Sequence, residues 1–283
     1  MMTAATVSAA AEASSSAVDE LTSALTANSF TSKEHLQPTL IQTDDETVIL
    51  CDAGYGFPIE ARPRKEKLLA VAKQIIQFLK WQQQQMNNKV QCLVKVVTNN
   101  QLDQDALRSR MEQLWKTQND EELSYMSLPV EFHLNDDIFN DDTFKDAIYL
   151  SPDAPTVLDP ADPPPSKVVV GMIIDRRQVQ RNRSLQRANS LQRRTARLQL
   201  NAWNVPTHEP LNVDVVMETM QQWWWNHTST TTSTTTTNHD TNDTDDTDTD
   251  DTENSTTAYQ NAVEQALQRH VARHPNRPLH TTT

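Results

Sequence analysis

The stretch Val168-Val-Val-Gly-Met-Ile-Ile-Asp-Arg-Arg177 decides the fold. The segment Val168–Ile174 is the longest apolar run of the chain, interrupted only by Gly171, and its length is typical of a buried strand. Such a strand places Asp175 at its carboxyl end, the edge where open α/β sheets bind ligands. From this pattern alone, a catalytic or binding role for Asp175 and a structural role, capping a loop or pairing with Arg176, are equally open.

Strands and helices alternate on both sides of this segment. Regular alternation predicts an α/β domain with a mainly parallel sheet. The apolar patterns predict strands at Thr47–Cys51, Val90–Val97, Val130–His133, Ala147–Leu150 and Thr195–Leu200, and helices at Arg64–Gln84, Asp105–Thr117, Ser184–Arg194, Asn212–Trp224 and Ala258–His270.

Composition divides the chain into folded and low-complexity parts. The hydrophobic fraction of 36% and the mean hydropathy of -0.66 are low for a chain that is folded throughout. We therefore expect a disordered leader at residues 1–45, a domain at 46–226, a Thr/Asp-rich insertion at 227–257, and a C-terminal helix at 258–280 that packs on the domain. The first 25 residues contain acids and no Arg or Lys, which favours the nucleus or cytoplasm over the mitochondrion.

Charge is distributed very unevenly. The net charge is -13, but one low-complexity run holds eight of the acids. Eight arginines lie between Arg176 and Arg197, and Asp175 is the only acid near them. This segment is a candidate site for a polyanion, and a solvated helix face is the alternative. The acid pairs Asp136-Asp137 and Asp141-Asp142 are expected to be solvated surface.

Several site classes are not indicated by the sequence. Gly54-Tyr-Gly56 is too short to be a phosphate-binding glycine loop, and the histidines show no metal-ligand spacing. Cys51 and Cys92 lie in apolar runs, which predicts buried reduced thiols. No apolar run is long enough to span a membrane. The run Trp223-Trp-Trp225 is expected to pack under the last helix.

Five motifs in order resemble a known family. They are Val48–Asp52, Tyr149–Ala154, Val168–Asp175, Ser184–Ala188 and Thr195–Leu198, and Pro210–Val213 and the last helix fit the same pattern. In order and spacing they are similar to the SPOUT-type tRNA (purine-N1)-methyltransferases that modify position nine of tRNA. The resemblance covers about residues 47–225 and the last helix, and it implies a parallel sheet with a C-terminal trefoil knot.

The resemblance also implies a cofactor and the residues that hold it. Members of this family bind S-adenosylmethionine at the knot, mostly through backbone groups. By position, the residues around the cofactor would be Leu150, Gly171, Met172, Arg176, Arg177, Gln178, Val179, Gln180, Ser184, Leu198, Glu209, Pro210 and Leu211. Met172 stands where many members have a second glycine, and a narrower cofactor site is therefore expected.

Catalysis and RNA binding are assigned by the same resemblance. Asp175 matches the family's general base, which accepts the guanine N1 proton late or orients the base. Arg176, Arg177, Arg181 and Arg183 would hold tRNA phosphates. The target base is left open between guanine and adenine. The expected protein is a monomer without a metal, and the alternative function is a tRNA-binding scaffold with weak or lost methylation.

Overall fold

The computed structural model describes residues 46–85, 91–118, 127–134, 136–173, 182–200, 211–234 and 250–273, all within the compact unit Gln42–Thr283. The strands of this part are β1 (Val48–Asp52), β2 (Leu93–Thr98), β3 (Glu131–Leu134), β4 (Ile148–Leu150), β5 (Lys167–Gly171) and β6 (Thr195–Ala196). The helices are α1 (Ala61–Gln84), α2 (Gln101–Gln118), α3 (Asp137–Asn140), α4 (Arg183–Ser190), α5 (Val213–Thr234) and α6 (Asp250–Arg273).

The six strands form one parallel sheet in the order β3-β2-β1-β5-β4-β6. The predicted α/β class with a parallel sheet is confirmed. The chain moves outward from β1 through β2 to β3 and later returns to the other side of β1 with β4, β5 and β6. The sheet therefore changes its direction of winding between β1 and β5, where open α/β sheets form a ligand crevice at the carboxyl ends of the strands.

Alternation along β1 assigns its residues to two apolar layers. Ile49 and Cys51 belong to the larger cluster, whereas Val48 and Leu50 belong to the smaller one. Successive side chains of a strand point to opposite faces, so Asp52 shares the face of Val48 and Leu50. Ala188 of α4 lies in this smaller cluster. The strand period thus directs the Asp52 carboxylate towards α4.

Helices α5 and α6 pack together and contribute to the larger cluster. The ring centroids of Trp223 and Tyr259 are 4.7 Å apart, and those of Trp225 and Trp81 are 5.4 Å apart. Trp224 is also buried, and its indole N–H donates to the carbonyl of Pro165 at 2.9 Å. The predicted packing beneath the last helix is confirmed for Trp223, whereas Trp225 packs against α1 and Trp224 binds Pro165, just before β5.

Several element boundaries differ from the predicted ones. Helix α2 begins at Gln101, not at Asp105, because the Asn100 side chain accepts from the Asp103 amide and donates to its carboxylate. Helix α4 ends at Ser190 instead of Arg194, since Gln192 adopts a positive φ of 54°. Strand β6 stops at Ala196, four residues before the predicted end at Leu200.

The predicted Thr/Asp-rich insertion at 227–257 is helical at both ends. Helix α5 continues to Thr234, and α6 begins at Asp250 instead of residue 258. The leader at 1–45 lies outside the described residues, as do 174–181 and 201–210, and the trefoil knot remains a prediction.

Candidate functional site

The apolar residues predicted to border the cofactor meet at one edge of the sheet. Leu150 ends β4, Gly171 ends β5, and Leu198 follows β6. Leu150 and Met172 are buried in the larger apolar cluster, and Leu198 and Leu211 pack against it. Because the strands are parallel, their carboxyl ends place Leu150, Gly171 and Leu198 at the same edge.

The start of helix α4 is fastened to the loop after β4. The hydroxyl oxygens of Ser184 and Ser151 are 2.7 Å apart, and both side chains are buried. The Asn182 amide donates to the carboxylate of Asp153 at 2.6 Å. Since Ser151 directly follows Leu150, these contacts bring Ser184 to the same edge.

The remaining predicted site residues lie outside the described part of the chain. They are Asp175, Arg176, Arg177, Gln178, Val179, Gln180, Arg181, Glu209 and Pro210. Their roles stay predictions.

A buried carboxylate that sequence reasoning passed over lies at this edge. Asp52 ends β1, is fully buried, and is the register partner of Gly171. Its Oδ1 accepts from the Gly54 amide at 2.8 Å, and its Oδ2 accepts from the Tyr149 hydroxyl at 2.9 Å. The position of Asp52 on the face of Val48 and Leu50 was the available signal for its burial.

Two tyrosines extend the contacts of Asp52. The hydroxyl oxygens of Tyr55 and Tyr149 are 2.5 Å apart. Because Tyr149 donates its proton to Asp52, Tyr55 must be the donor to Tyr149. Burial, followed by the nearby charge of Asp52, raises the pKa of Tyr149 well above its ordinary value. Both phenols are therefore protonated at neutral pH, and the direction of this hydrogen-bond chain is fixed.

Arg187 of α4 joins Asp52 to a second acid. Its Nε donates to Asp52 Oδ2 at 3.0 Å, and its Nη1 donates to Asp136 Oδ2 at 3.0 Å, while Nη2 contacts both carboxylates. Burial acts to lower the pKa of Arg187, but the hydrogen bonds to Asp136 and Asp52 outweigh this effect and raise it. The expectation that Asp136 is only solvated surface was wrong, because Arg187 reaches it from another element.

The predicted basic face contains fewer than eight exposed guanidinium groups, because several of these arginines bind other groups of the protein. Arg193 donates to the carbonyls of Phe144 and Lys145, and Arg197 donates to the carbonyl of Ala154. Like Arg187, these side chains hold loops together. The expectation that the arginines have almost no acidic partners fails for Arg187.

Of the four predicted tRNA-binding arginines, Arg183 is the one that lies within the described residues. Its guanidinium carbon lies 5.3 Å from the centroid of the Tyr55 ring, a distance typical of a cation–π contact. It is half-buried at the start of α4, one helical turn before Arg187. It therefore stands beside Ser184 and the Asp52 contacts.

Two glycines allow the close packing at this edge. A Cβ on Gly54 would lie 2.3 Å from Arg187 Nη2, and a Cβ on Gly171 would lie 2.7 Å from the Tyr55 hydroxyl. Such distances are well below van der Waals contact. The Tyr55 and Tyr149 hydroxyls therefore lie directly over Gly171 of β5.

The described residues offer no alternative site of a familiar kind. They contain no cluster of His, Cys, Asp and Glu that could hold a metal ion, and no helix among them is long and apolar enough to cross a membrane. Cys51 and Cys92 are free and buried, as predicted, and burial raises the pKa of both thiols. A cavity of about 680 Å³ is lined by parts of 156–165 and 193–196 and by Ile148 and Trp223, and its lining includes neither Gly171 nor Ser184.

Solved structures of low sequence identity and one protein family match this chain. A search of curated protein sequences gives no match. Solved structures that match include spTrm10(74), with 14% identity, a TM-score of 0.45, and coverage of 64% of this chain and 88% of that one. Full-length spTrm10 in complex with SAH has 14% identity, a TM-score of 0.43, and coverage of 63% and 86%. A dual-specific Trm10 from Thermococcus kodakaraensis has 10% identity, a TM-score of 0.40, and coverage of 62% and 90%.

The family comparison covers most of the chain. Residues 18–236 match the family described as tRNA (guanine(9)-N(1))-methyltransferase TRM10/TRM10A, which is more than half of the sequence. The resemblance predicted from the five motifs is confirmed, and the chain belongs to the TRM10/TRM10A family of tRNA (guanine(9)-N(1))-methyltransferases.

Proposed function

We propose that this protein methylates N1 of the purine at position nine of tRNA, using S-adenosylmethionine, with guanine as the main target. The observation that carries the proposal is the convergence of Leu150, Gly171, Met172, Ser184 and Leu198 at one sheet edge, in a chain of this family. The family is described by its action on guanine, which favours guanine over adenine.

The residues at this edge suit the chemistry of the cofactor. The half-buried Leu198 and Leu211 offer apolar surface for an adenine ring, and the buried Ser151–Ser184 hydrogen bond holds α4 to the loop after β4. The Met172 side chain is buried in the core cluster, so we expect it to leave room for a cofactor at the backbone and not to narrow the site as the sequence predicts. A solved relative, full-length spTrm10, was crystallised with SAH, the product form of this cofactor.

Asp175 is proposed as the group that receives or orients the N1 proton. S-adenosylmethionine, when bound, would supply a methyl group carried on its sulfonium sulfur, which leaves as the neutral thioether. An ordinary aspartate, with a pKa of about 3.9, is too weak a base to remove the guanine N1 proton beforehand. It can accept the proton late, as positive charge develops on the methylated base, or it can hold N1 in line with the methyl carbon.

Methylation of defined transcripts tests this function. Purified protein, labelled S-adenosylmethionine and unmodified tRNA with guanine, adenine or uridine at position nine should give strong incorporation with guanine and none with uridine. Tight tRNA binding without incorporation would contradict the enzyme and support a tRNA-binding scaffold. Titration calorimetry with S-adenosylhomocysteine would show whether a cofactor site exists at all.

Replacement of Asp175 by asparagine tests its proposed role. We expect Asp175→Asn to slow guanine methylation by about 100-fold, the usual scale of general-base catalysis, while the fold and S-adenosylhomocysteine affinity persist. Adenine methylation should fall less, since adenine N1 carries no proton. Asp146→Asn, at an exposed site beyond α3, is the matched control. An unchanged rate across the pH range for Asp175→Asn would remove Asp175 as the base.

A further inference from the structure

Arg187 makes an unusual set of contacts for a residue in a segment that looks like an RNA-binding face. Its side chain is 15% exposed and binds two carboxylates, of which Asp52 is completely buried and Asp136 is 40% exposed. An arginine engaged in this way has few donors left for a phosphate. Its function must therefore lie in what it holds in place.

Arg187 and the two carboxylates form the Asp52–Arg187–Asp136 bridge, which fixes α4 to the crevice of the sheet. Asp52 ends β1 and is the register partner of Gly171 in β5, which is the point where the winding of the sheet changes direction. Arg187 attaches α4 to this point through its contact with Asp52. Asp136, which precedes α3, clamps the other side of the guanidinium.

Arg183 depends on Asp52 by two separate routes. Along the helix, Arg183 lies one turn before Arg187, which is bound to Asp52. Across the gap, Arg183 lies over the Tyr55 ring, whose hydroxyl donates to Tyr149, and Tyr149 donates to Asp52. The helix and the ring that locate Arg183 are thus anchored on the same carboxylate.

We infer that Arg187 is a positioning residue for tRNA binding, which acts by fixing helix α4 to Asp52 so that Arg183 presents its guanidinium at the sheet edge. This inference rests on the proposed function, because it takes tRNA as the ligand of Arg183. In this role Arg187 neither contacts a tRNA phosphate nor affects the binding of the cofactor. Removal of Arg187 is expected to matter only as long as Arg183 is present.

A double-mutant cycle on tRNA affinity tests this dependence. Arg187→Lys keeps the charge, but an ammonium cannot hold both carboxylates in paired contacts, so α4 should loosen without unfolding. We expect Arg187→Lys to weaken tRNA binding about fivefold and Arg183→Ala to weaken it at least as much. The double variant should bind as Arg183→Ala does, within about twofold, because coupled residues do not contribute additively.

Controls separate positioning from general stability. Arg269→Lys is the matched control, since Arg269 also contacts a fully buried carboxylate, Glu218, but joins α6 to α5. It should lower the melting temperature and leave tRNA affinity unchanged. Asp136→Asn weakens the contacts of Arg187 but leaves Arg187 in place as the partner of the buried Asp52. Like Arg187→Lys, it should weaken tRNA binding.

The possible outcomes are distinct. Multiplicative losses in the double variant, or an unchanged affinity in Arg187→Lys, would overturn the positioning role while leaving the methyltransferase proposal intact. A wild-type protein that neither binds nor methylates tRNA would overturn the proposed function, and the positioning role with it. Non-additive losses, with wild-type affinity in Arg269→Lys, would establish the inference.

Discussion

Replacement of Gln192 by glycine should stabilise the protein. Gln192 lies just beyond the end of α4 and has a φ of 54°. Its amide donates to the carbonyl of Asn189, and the Arg193 amide donates to the carbonyl of Ala188. This is a Schellman arrangement, in which the left-handed position is usually glycine. A side chain there costs about 1–2 kcal/mol, whereas glycine loses about 0.5–1 kcal/mol more backbone entropy on folding. The expected net gain in the free energy of unfolding is about 0.5–1 kcal/mol.

Urea denaturation of a small series measures this gain. Gln192 is exposed, so Gln192→Ala removes the side chain without removing the strain and should match the wild type. Gln186→Gly places glycine inside the same helix and should cost about 1 kcal/mol. Gln192→Gly should also raise the melting temperature by about 2 °C in a domain of this size. If Gln192→Gly is no more stable than Gln192→Ala, the argument from left-handed strain is refuted.

Three further changes have definite expected signs. Gly54→Ala places a Cβ 2.3 Å from Arg187 Nη2 and should lower the free energy of unfolding in urea by about 3 kcal/mol; a loss below about 1 kcal/mol would show that the guanidinium moves aside easily. Burial raises the pKa of Glu218 against its two arginine partners, so the folded chain holds this proton more tightly than the unfolded one. The contribution of Glu218 to the free energy of unfolding should therefore fall as the pH rises from about 4 towards the raised pKa, and a wild-type minus Glu218→Gln difference that does not change with pH would contradict this. Trp223→Ala should cost about 4 kcal/mol in the same assay, because Trp223 is buried against Tyr259; a cost near 1 kcal/mol would mean that α6 closes over the gap.

The fold was predictable because its signals are local. The apolar run at 168–174 and the helical period of Arg64–Gln84 each specify an element without knowledge of the rest of the chain. Boundaries were predicted less well where one side chain decides them. Asn100 starts α2 early through its contacts with Asp103, and Gln192 ends α4 early although glutamine rarely adopts a positive φ.

The candidate site was predictable only through the family resemblance, which assigned Leu150 and Gly171 to the cofactor. The rule that parallel strands end at one edge explains why the two residues meet. The Asp52–Arg187–Asp136 bridge could not be foreseen, because its members are 51 and 135 residues apart in sequence. Charge counting treated Arg187 as part of a basic face and Asp136 as solvated surface. Only the three-dimensional structure shows that the two neutralise each other.

The pairing of α5 with α6 has a consequence for synthesis on the ribosome. Trp223 leaves the ribosome well before Tyr259, which covers it, and the residues between them are rich in Thr and Asp. Until α6 emerges, Trp223 lacks the Tyr259 ring that covers it in the finished protein. Newly made chains therefore pass through an interval in which this apolar surface is open to chaperones or to aggregation.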